Sequence, residues 1–238
     1  MIGPSMKRHF PLLFLLSTLF LASGCAIFTP KPPLEYRPGV QVDTLSAGVS
    51  LSITKGEQGM GANGFLLYQR PDRMRMVILS PFGTTIMETV VVGEEVTVVD
   101  NSKGVAFRGL LAELPQQGQG DTWRQARWVM EVPAPGSSLR DGTVERTSSM
   151  GLKERVTFEN GLVVVKSLAN GDEAHYNDYE VVNGVPLATE IIMYSHDGGR
   201  FRIRITEPEV NTDLAPEAFT PHVDNLTIYP LSALQGKQ

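Results

Sequence analysis

The sequence has few of the residues that disulfide, metal or covalent chemistry requires. Its 238 residues include one cysteine, Cys25, which excludes an intrachain disulfide and a cysteine-based metal site. Lysine and arginine together number 21, against 26 aspartates and glutamates, and this balance argues against nucleic-acid binding, which needs a basic surface. We find no Gly-rich phosphate-binding loop, no Gly-x-Ser-x-Gly nucleophile motif and no carboxylate pair with a signature. The sequence therefore predicts no catalytic residue, no cofactor and no metal site.

Long apolar runs are also missing, except at the N-terminus. Lys7 and Arg8 precede an apolar run over residues 10–22, and Cys25 follows it after two small residues. The run is too short to cross the roughly 30 Å hydrocarbon core of a bilayer as a helix, and its order of segments is typical of a secretory signal peptide. The cysteine at the cleavage point resembles a bacterial lipobox, with Ala22 at the usual leucine position. That resemblance implies cleavage before Cys25 and acylation of its thiol; the alternative is a plain signal peptide with an incidental cysteine.

The remaining chain is long enough for one domain. Without residues 1–24 about 214 residues remain, enough to bury a sizeable core. We assign residues 1–24 to the signal peptide, 25–44 to the lipidated cysteine and a Pro-rich tether, 45–222 to the domain and 223–238 to a C-terminal tail. The prolines of the tether favour an extended polyproline II chain of about 3.1 Å per residue, and packing on the domain surface is the alternative.

From Leu45 onward, short β-branched and apolar runs alternate with turns. The 23 glycines and 16 prolines fall largely between these runs, and Asn160-Gly161 is a strong hairpin signal. We count about eleven strands, which predicts a mainly β, antiparallel domain. The pattern breaks once: residues 116–120 form a polar loop, after which Asp121 is a plausible N-cap for a short helix that ends near Met130.

Three segments of the β region resemble the LolA/LolB-like outer-membrane lipoproteins. They are YQRPDRMR (68–75), SPFGTT (80–85) and GVPL (184–187), and they stand in the family's order. The likeness implies a single, strongly curved antiparallel sheet, an unclosed half-barrel, with a short helical lid over an apolar cavity for acyl chains. A lipid anchor at Cys25 resembles the LolB side of the family, which takes lipoproteins from a soluble LolA-like carrier.

The candidate cavity wall combines strand and helix residues. Methionines are flexible and polarisable, which suits a surface that must accept varied chains. At strand spacing the alternative is a filled core, but so few helical residues leave little else to cover a large sheet. The residues that we expect to line the cavity are Met74, Met76, Ile78 and Ile86 from the strands and Trp123, Trp128 and Met130 from the lid.

A second candidate site is the turn formed by Pro81, Phe82 and Gly83. A large apolar side chain in such a turn would stand exposed. In the LolB family, the resemblance implies, the matching side chain enters the bilayer to release the cargo. The alternative is that Phe82 folds back onto the core, since single exposed apolar residues are ordinary.

Together these features predict a monomeric outer-membrane lipoprotein, anchored through Cys25 on the periplasmic face. It would bind the acyl chains of lipoprotein cargo without covalent chemistry, receive them from a LolA-like carrier and seat the cargo in the outer membrane. Two alternatives stay open. The same half-barrel could bind or sense another lipid or glycolipid, or the protein could be a scaffold in an envelope complex.

Overall fold

The computed structural model describes residues 34–114, 119–134 and 140–234. The predicted signal peptide, Cys25 and the N-terminal part of the predicted tether lie outside these ranges. Residues Leu34–Gln238 form a compact unit of their own.

The described residues contain thirteen strands that join into one sheet, and one α-helix, α1 (Gln119–Met130). The strands are β1 (Thr44–Lys55), β2 (Gln58–Gln69), β3 (Arg73–Leu79), β4 (Thr85–Val92), β5 (Glu95–Asp100), β6 (Val105–Leu110), β7 (Gly142–Thr147), β8 (Lys153–Glu159), β9 (Leu162–Leu168), β10 (Glu173–Val182), β11 (Val185–Tyr194), β12 (Gly199–Val210) and β13 (Thr227–Pro230).

The sheet consists of two antiparallel meanders joined in the middle. β1 to β6 form one and β7 to β12 the other, and β1 pairs with β12. Within the described part of the chain, β13 and β7 are the two ends of the strand order and do not pair with each other. The sheet is therefore an unclosed half-barrel, as predicted.

The strand count exceeds the expected eleven, partly because the predicted C-terminal tail contains β13. This strand lies parallel to β6 at the sheet edge. Prolines in the segment argued against a strand, but an edge strand tolerates proline because one side of its backbone needs no partner. Residues 216–219 also pack on the convex face, where Phe219 is buried and Arg75 donates to the Ala218 carbonyl at 2.9 Å.

Local sequence explains the hairpins well. Asn160 (φ 52°) and Gly161 (φ 79°) link β8 to β9, and two positive φ angles are what a two-residue type I′ turn requires. The helix was less well predicted, since α1 begins at Gln119 and takes in the end of the expected loop at 116–120.

One end of the half-barrel is closed by residues 36–43. The Tyr36 hydroxyl donates to the Asn160 carbonyl at 2.7 Å, and Arg70 Nε donates to the Val42 carbonyl at 2.9 Å. Val40 and Val42 pack against the core. The last part of the segment predicted as a tether thus packs on the domain, at the end where β8 meets β9 and β10 meets β11.

Gly64 permits an unusually close approach of β2 and β3. A Cβ at this position would lie 1.9 Å from the Val77 carbonyl oxygen, so backbone would have to move. We expect Gly64→Ala to lower the free energy of unfolding by about 3 kcal/mol, the upper part of the range for overpacking, measured by urea denaturation.

Gly59 on the same strand is the matched control. A Cβ there would find its nearest neighbour at 3.8 Å, an ordinary contact, so Gly59→Ala should leave stability unchanged or slightly raised. Equal stability of the two variants would show that the strands separate without cost.

Candidate functional site

An apolar cavity of about 320 Å³ opens on the concave face near one end of the half-barrel. It lies between β1, β2, β3, β4 and β12 and beneath α1, and none of its lining side chains is polar. The lining residues are Leu51, Ile53, Met60, Gly61, Ala62, Met76, Ile78, Ile86, Met87, Ala126 and Phe201.

Cross-strand pairing brings these residues together. Met60 lies opposite Ile53, which in turn lies opposite Phe201, and Ile78 lies opposite Met87. Directly opposed residues of antiparallel strands share one face of the sheet. The strand register therefore builds a continuous apolar wall from residues up to 150 positions apart in the sequence, Leu51 and Phe201.

Exposure along the cavity shows which end is its mouth. Met60 is 69% exposed, and Ile53 and Ile86 are 38% and 39% exposed, whereas Met76 and Ala126 are buried. The exposed residues lie beside the hairpin turns that follow β1, β3 and β11, so the cavity opens at the end opposite to the segment 36–43.

An ion pair joins two of these turns. Lys55 Nζ lies 2.5 Å from Asp197 Oδ2, and this hydrogen bond holds the pKa of Asp197 at about 2. The turns after β1 and β11 are thereby linked beside the mouth.

Phe82 projects from the turn between β3 and β4, at the same end of the sheet. Its side chain is 94% exposed, so it does not fold back onto the core. Ser80 Oγ accepts hydrogen bonds from the backbone N–H groups of Phe82 and Thr84, both at 3.2 Å. Gly83 has a φ of +82°, a conformation that favours glycine. The Pro81-Phe82-Gly83 turn is thus internally hydrogen-bonded, and it presents a large apolar side chain to solvent.

Three of the predicted lining residues, Met76, Ile78 and Ile86, line this cavity. Met74 is buried one pair of residues deeper along β3. Met130 lines a second, smaller apolar cavity of about 40 Å³, which Val42 also lines at the closed end. The side chain of Trp123 lies outside the described residues.

Sequence reasoning missed the contributions of β1, β12 and the start of β2. β2 begins at Gln58, within a glycine-containing stretch, and carries Met60 into the wall. The alternation of Leu51 and Ile53 in β1 was a signal that could have added that strand to the prediction.

A buried ionic cluster holds the C-terminal end of α1 on the sheet. The side chain of Lys166 is fully buried, and its Nζ donates to the carbonyl oxygens of Trp128 at 2.8 Å and Glu131 at 2.9 Å. It also lies 3.0 Å from Glu154 Oε2, which accepts the indole N–H of Trp128 at 2.6 Å. The structure thus places Trp128, expected in the cavity wall, in this cluster instead, because its indole N–H needs a buried acceptor.

Arg146 extends the cluster to the carboxylate of Glu131. Arg146 Nε lies 2.8 Å from Glu154 Oε1, and its Nη2 lies 3.0 Å from Glu131 Oε1. Although burial opposes the shift, hydrogen bonds from Ser149 and the nearby cations hold the pKa of Glu131 below its usual range. Burial lowers the pKa of Lys166 to about 8, with Glu154 opposing the change. The cluster fixes one end of the lid by charge-assisted hydrogen bonds.

Residues 34–114, 119–134 and 140–234 contain neither a metal-binding cluster nor a membrane-spanning helix. No group of three or more histidine, cysteine, aspartate or glutamate side chains is arranged to hold a metal ion. No helix in those ranges has the length and apolar character to cross a membrane.

The family described as "Outer membrane lipoprotein LolB" has a model that matches residues 44–207. No curated protein matches the sequence. Among solved structures, the chain is similar to a putative outer membrane lipoprotein-sorting protein domain from Vibrio parahaemolyticus, with a TM-score of 0.56 and 9% identity over 74% of this chain and 89% of that one.

A second similar structure is a LolA superfamily protein from Nitrosomonas europaea. Its TM-score is 0.51 and its identity 15%, over 79% of this chain and 93% of that one. At such low identity both structures support the fold alone. The family match ends at residue 207, so β13 and the segment on the convex face lie beyond it.

Proposed function

Since the chain belongs to the LolB family of outer membrane lipoproteins, we propose that it binds the acyl chains of lipoprotein cargo in the apolar cavity and inserts that cargo into the outer membrane. Anchoring through an acylated Cys25, a place on the periplasmic face, action as a monomer and exchange with a LolA-like carrier are parts of this proposal.

The observation that carries the proposal is the pairing of an open apolar cavity with an exposed phenylalanine at the same end of the sheet. Burial of an acyl chain against such a wall is favourable, at about 0.8 kcal/mol for each methylene removed from water. Phe82 offers an apolar side chain that can enter a bilayer beside the mouth. Neither feature requires a chemical step, and the proposal assigns none.

The test is a transfer assay with the mature chain carrying Cys25→Ser. It is mixed with a LolA-like carrier loaded with a labelled lipoprotein, and movement of the label to the chain is measured. Transfer of the label supports the acceptor role. If nothing moves but purified protein yields an extractable lipid, the cavity serves another lipid, and if neither occurs a scaffold role replaces the proposal.

A charge at the mouth should block acceptance. We expect Met60→Asp to reduce the transfer rate about tenfold or more, because an entering chain would have to desolvate an ionised carboxylate. Met60 is largely exposed, so folding should be unaffected. Leu110→Asp, at an exposed leucine on β6 outside the cavity lining, is the matched control and should transfer normally. Equal transfer rates for both variants would show that the mouth of the cavity takes no part in accepting the cargo.

A further inference from the structure

The size of the cavity limits how much hydrocarbon it holds. Its volume is about 320 Å³. An engineered protein cavity of about 150 Å³ binds benzene, which has six carbons. By that scale the cavity has room for about twelve carbons. The three chains of a triacylated cysteine contain several times this amount, so they cannot all enter the cavity in this conformation.

The cavity is also elongated along the strands. Its mouth is marked by Met60, and its deepest strand residue, Met76, lies opposite Leu66 on β2. Met60 and Leu66 are six positions apart on one strand, which corresponds to about 20 Å. A narrow cavity with an exposed mouth and a buried floor suits a single chain that enters by its methyl end.

The chemistry of the wall restricts the ligand further. None of the lining side chains is charged or polar, so a carboxylate or head group would lose its hydration without a partner if it entered. Three of the lining residues are methionines, Met60, Met76 and Met87, whose flexible thioethers can adjust to a chain's bends. The wall therefore accepts hydrocarbon and leaves the polar end of the ligand at the mouth.

We propose that this cavity seats one acyl chain of the cargo, to a depth of about twelve carbons, while the other chains lie against the exposed apolar residues around the mouth. This inference rests on the proposed function and adds the number and length of the chains that the site holds. The apolar side chains available at the mouth are Ile53, Met60, Ile86 and Phe82.

The experiment measures the affinity of the Cys25→Ser chain for saturated fatty acids of increasing length, by calorimetry. From eight to twelve carbons each added methylene should raise affinity about fourfold, the equivalent of about 0.8 kcal/mol. Beyond about twelve carbons the affinity should level off, and native mass spectrometry should show one fatty acid per chain. An affinity that rises undiminished to eighteen carbons, or two fatty acids bound together, would overturn the inference.

A cavity-filling variant tests whether the limit on fatty-acid length is set by this cavity. Ala62→Phe adds a ring inside the cavity and should move the plateau to shorter chains by several carbons. Ser52→Phe, on the opposite face of the neighbouring strand β1, is the matched control and should leave the plateau unchanged. An unchanged plateau in Ala62→Phe would place the fatty acid elsewhere and overturn the inference.

Failure of the inference is distinguishable from failure of the proposed function. If fatty acids do not bind but the labelled lipoprotein is accepted from the carrier, the single-chain seat is wrong and the acceptor role stands. If fatty acids bind with the expected length limit but the lipoprotein is never accepted, the seat stands and the acceptor role is wrong.

Discussion

Replacing Phe82 with glutamate should leave folding and cargo acceptance intact and reduce release of the cargo into liposomes about tenfold to a hundredfold. Burying a phenylalanine side chain in an apolar phase contributes about 1.5–3 kcal/mol, and glutamate loses this and resists entry into hydrocarbon. Because the Phe82 side chain is 94% exposed, its loss should not change the urea midpoint. The measurement is the rate at which labelled lipoprotein passes from the loaded protein to liposomes.

Phe65 supplies the matched control for this substitution. It is an exposed phenylalanine on β2, 54% exposed, on the convex face and away from the cavity. Phe65→Glu should release cargo at the normal rate, and Phe82→Leu should retain most of the activity. A normal rate of cargo release by Phe82→Glu would show that the turn takes no part in delivery. An equal loss of release rate in Phe65→Glu would indicate a general effect of added charge.

Replacing Lys166 with methionine should lower the free energy of unfolding by about 3–5 kcal/mol, the range observed when one partner of a buried ion pair is removed. Glu154 would keep Arg146 but lose the fully buried ammonium group of Lys166, and the carbonyl oxygens of Trp128 and Glu131 would lose their donor. We expect the amide protons of α1 to exchange faster, since the cluster holds this end of the lid. Urea denaturation and hydrogen exchange measure the two effects.

The surface pair of Lys55 and Asp197 is the comparison for this prediction. Its atoms are 2.5 Å apart, but the two side chains are 67% and 48% exposed, and such pairs contribute about 0–1 kcal/mol. Lys55→Met should therefore be nearly neutral. A loss in Lys166→Met no larger than in Lys55→Met would show that the buried cluster adds nothing to the attachment of the lid.

Much of the fold follows from local patterns in the sequence. Alternation at period two predicts which side chains share a face, and Asn160-Gly161 predicts a hairpin because both residues tolerate positive φ. The sequence also placed Phe82 in a short turn between two strands. These features depend on residues that are close in sequence.

The tertiary structure decided whether the apolar face is filled or hollow. Periodicity assigns Met74 and Met76 to the same face of β3, and both are buried in the core, yet only Met76 lines the cavity. The difference depends on which residues lie opposite each methionine across the half-barrel. No local sequence pattern shows how far away those residues are.

The sequence by itself determined the mainly β class, the hairpins and the likeness to the LolA/LolB-like family. Only the tertiary structure decided the roles of Trp128 and Lys166 and the addition of β13 to the sheet edge. The burial of Lys166 depends on partners contributed by α1 and β8. Such partners are far apart in the sequence and meet only when the sheet curves, which is why local patterns could not reveal them.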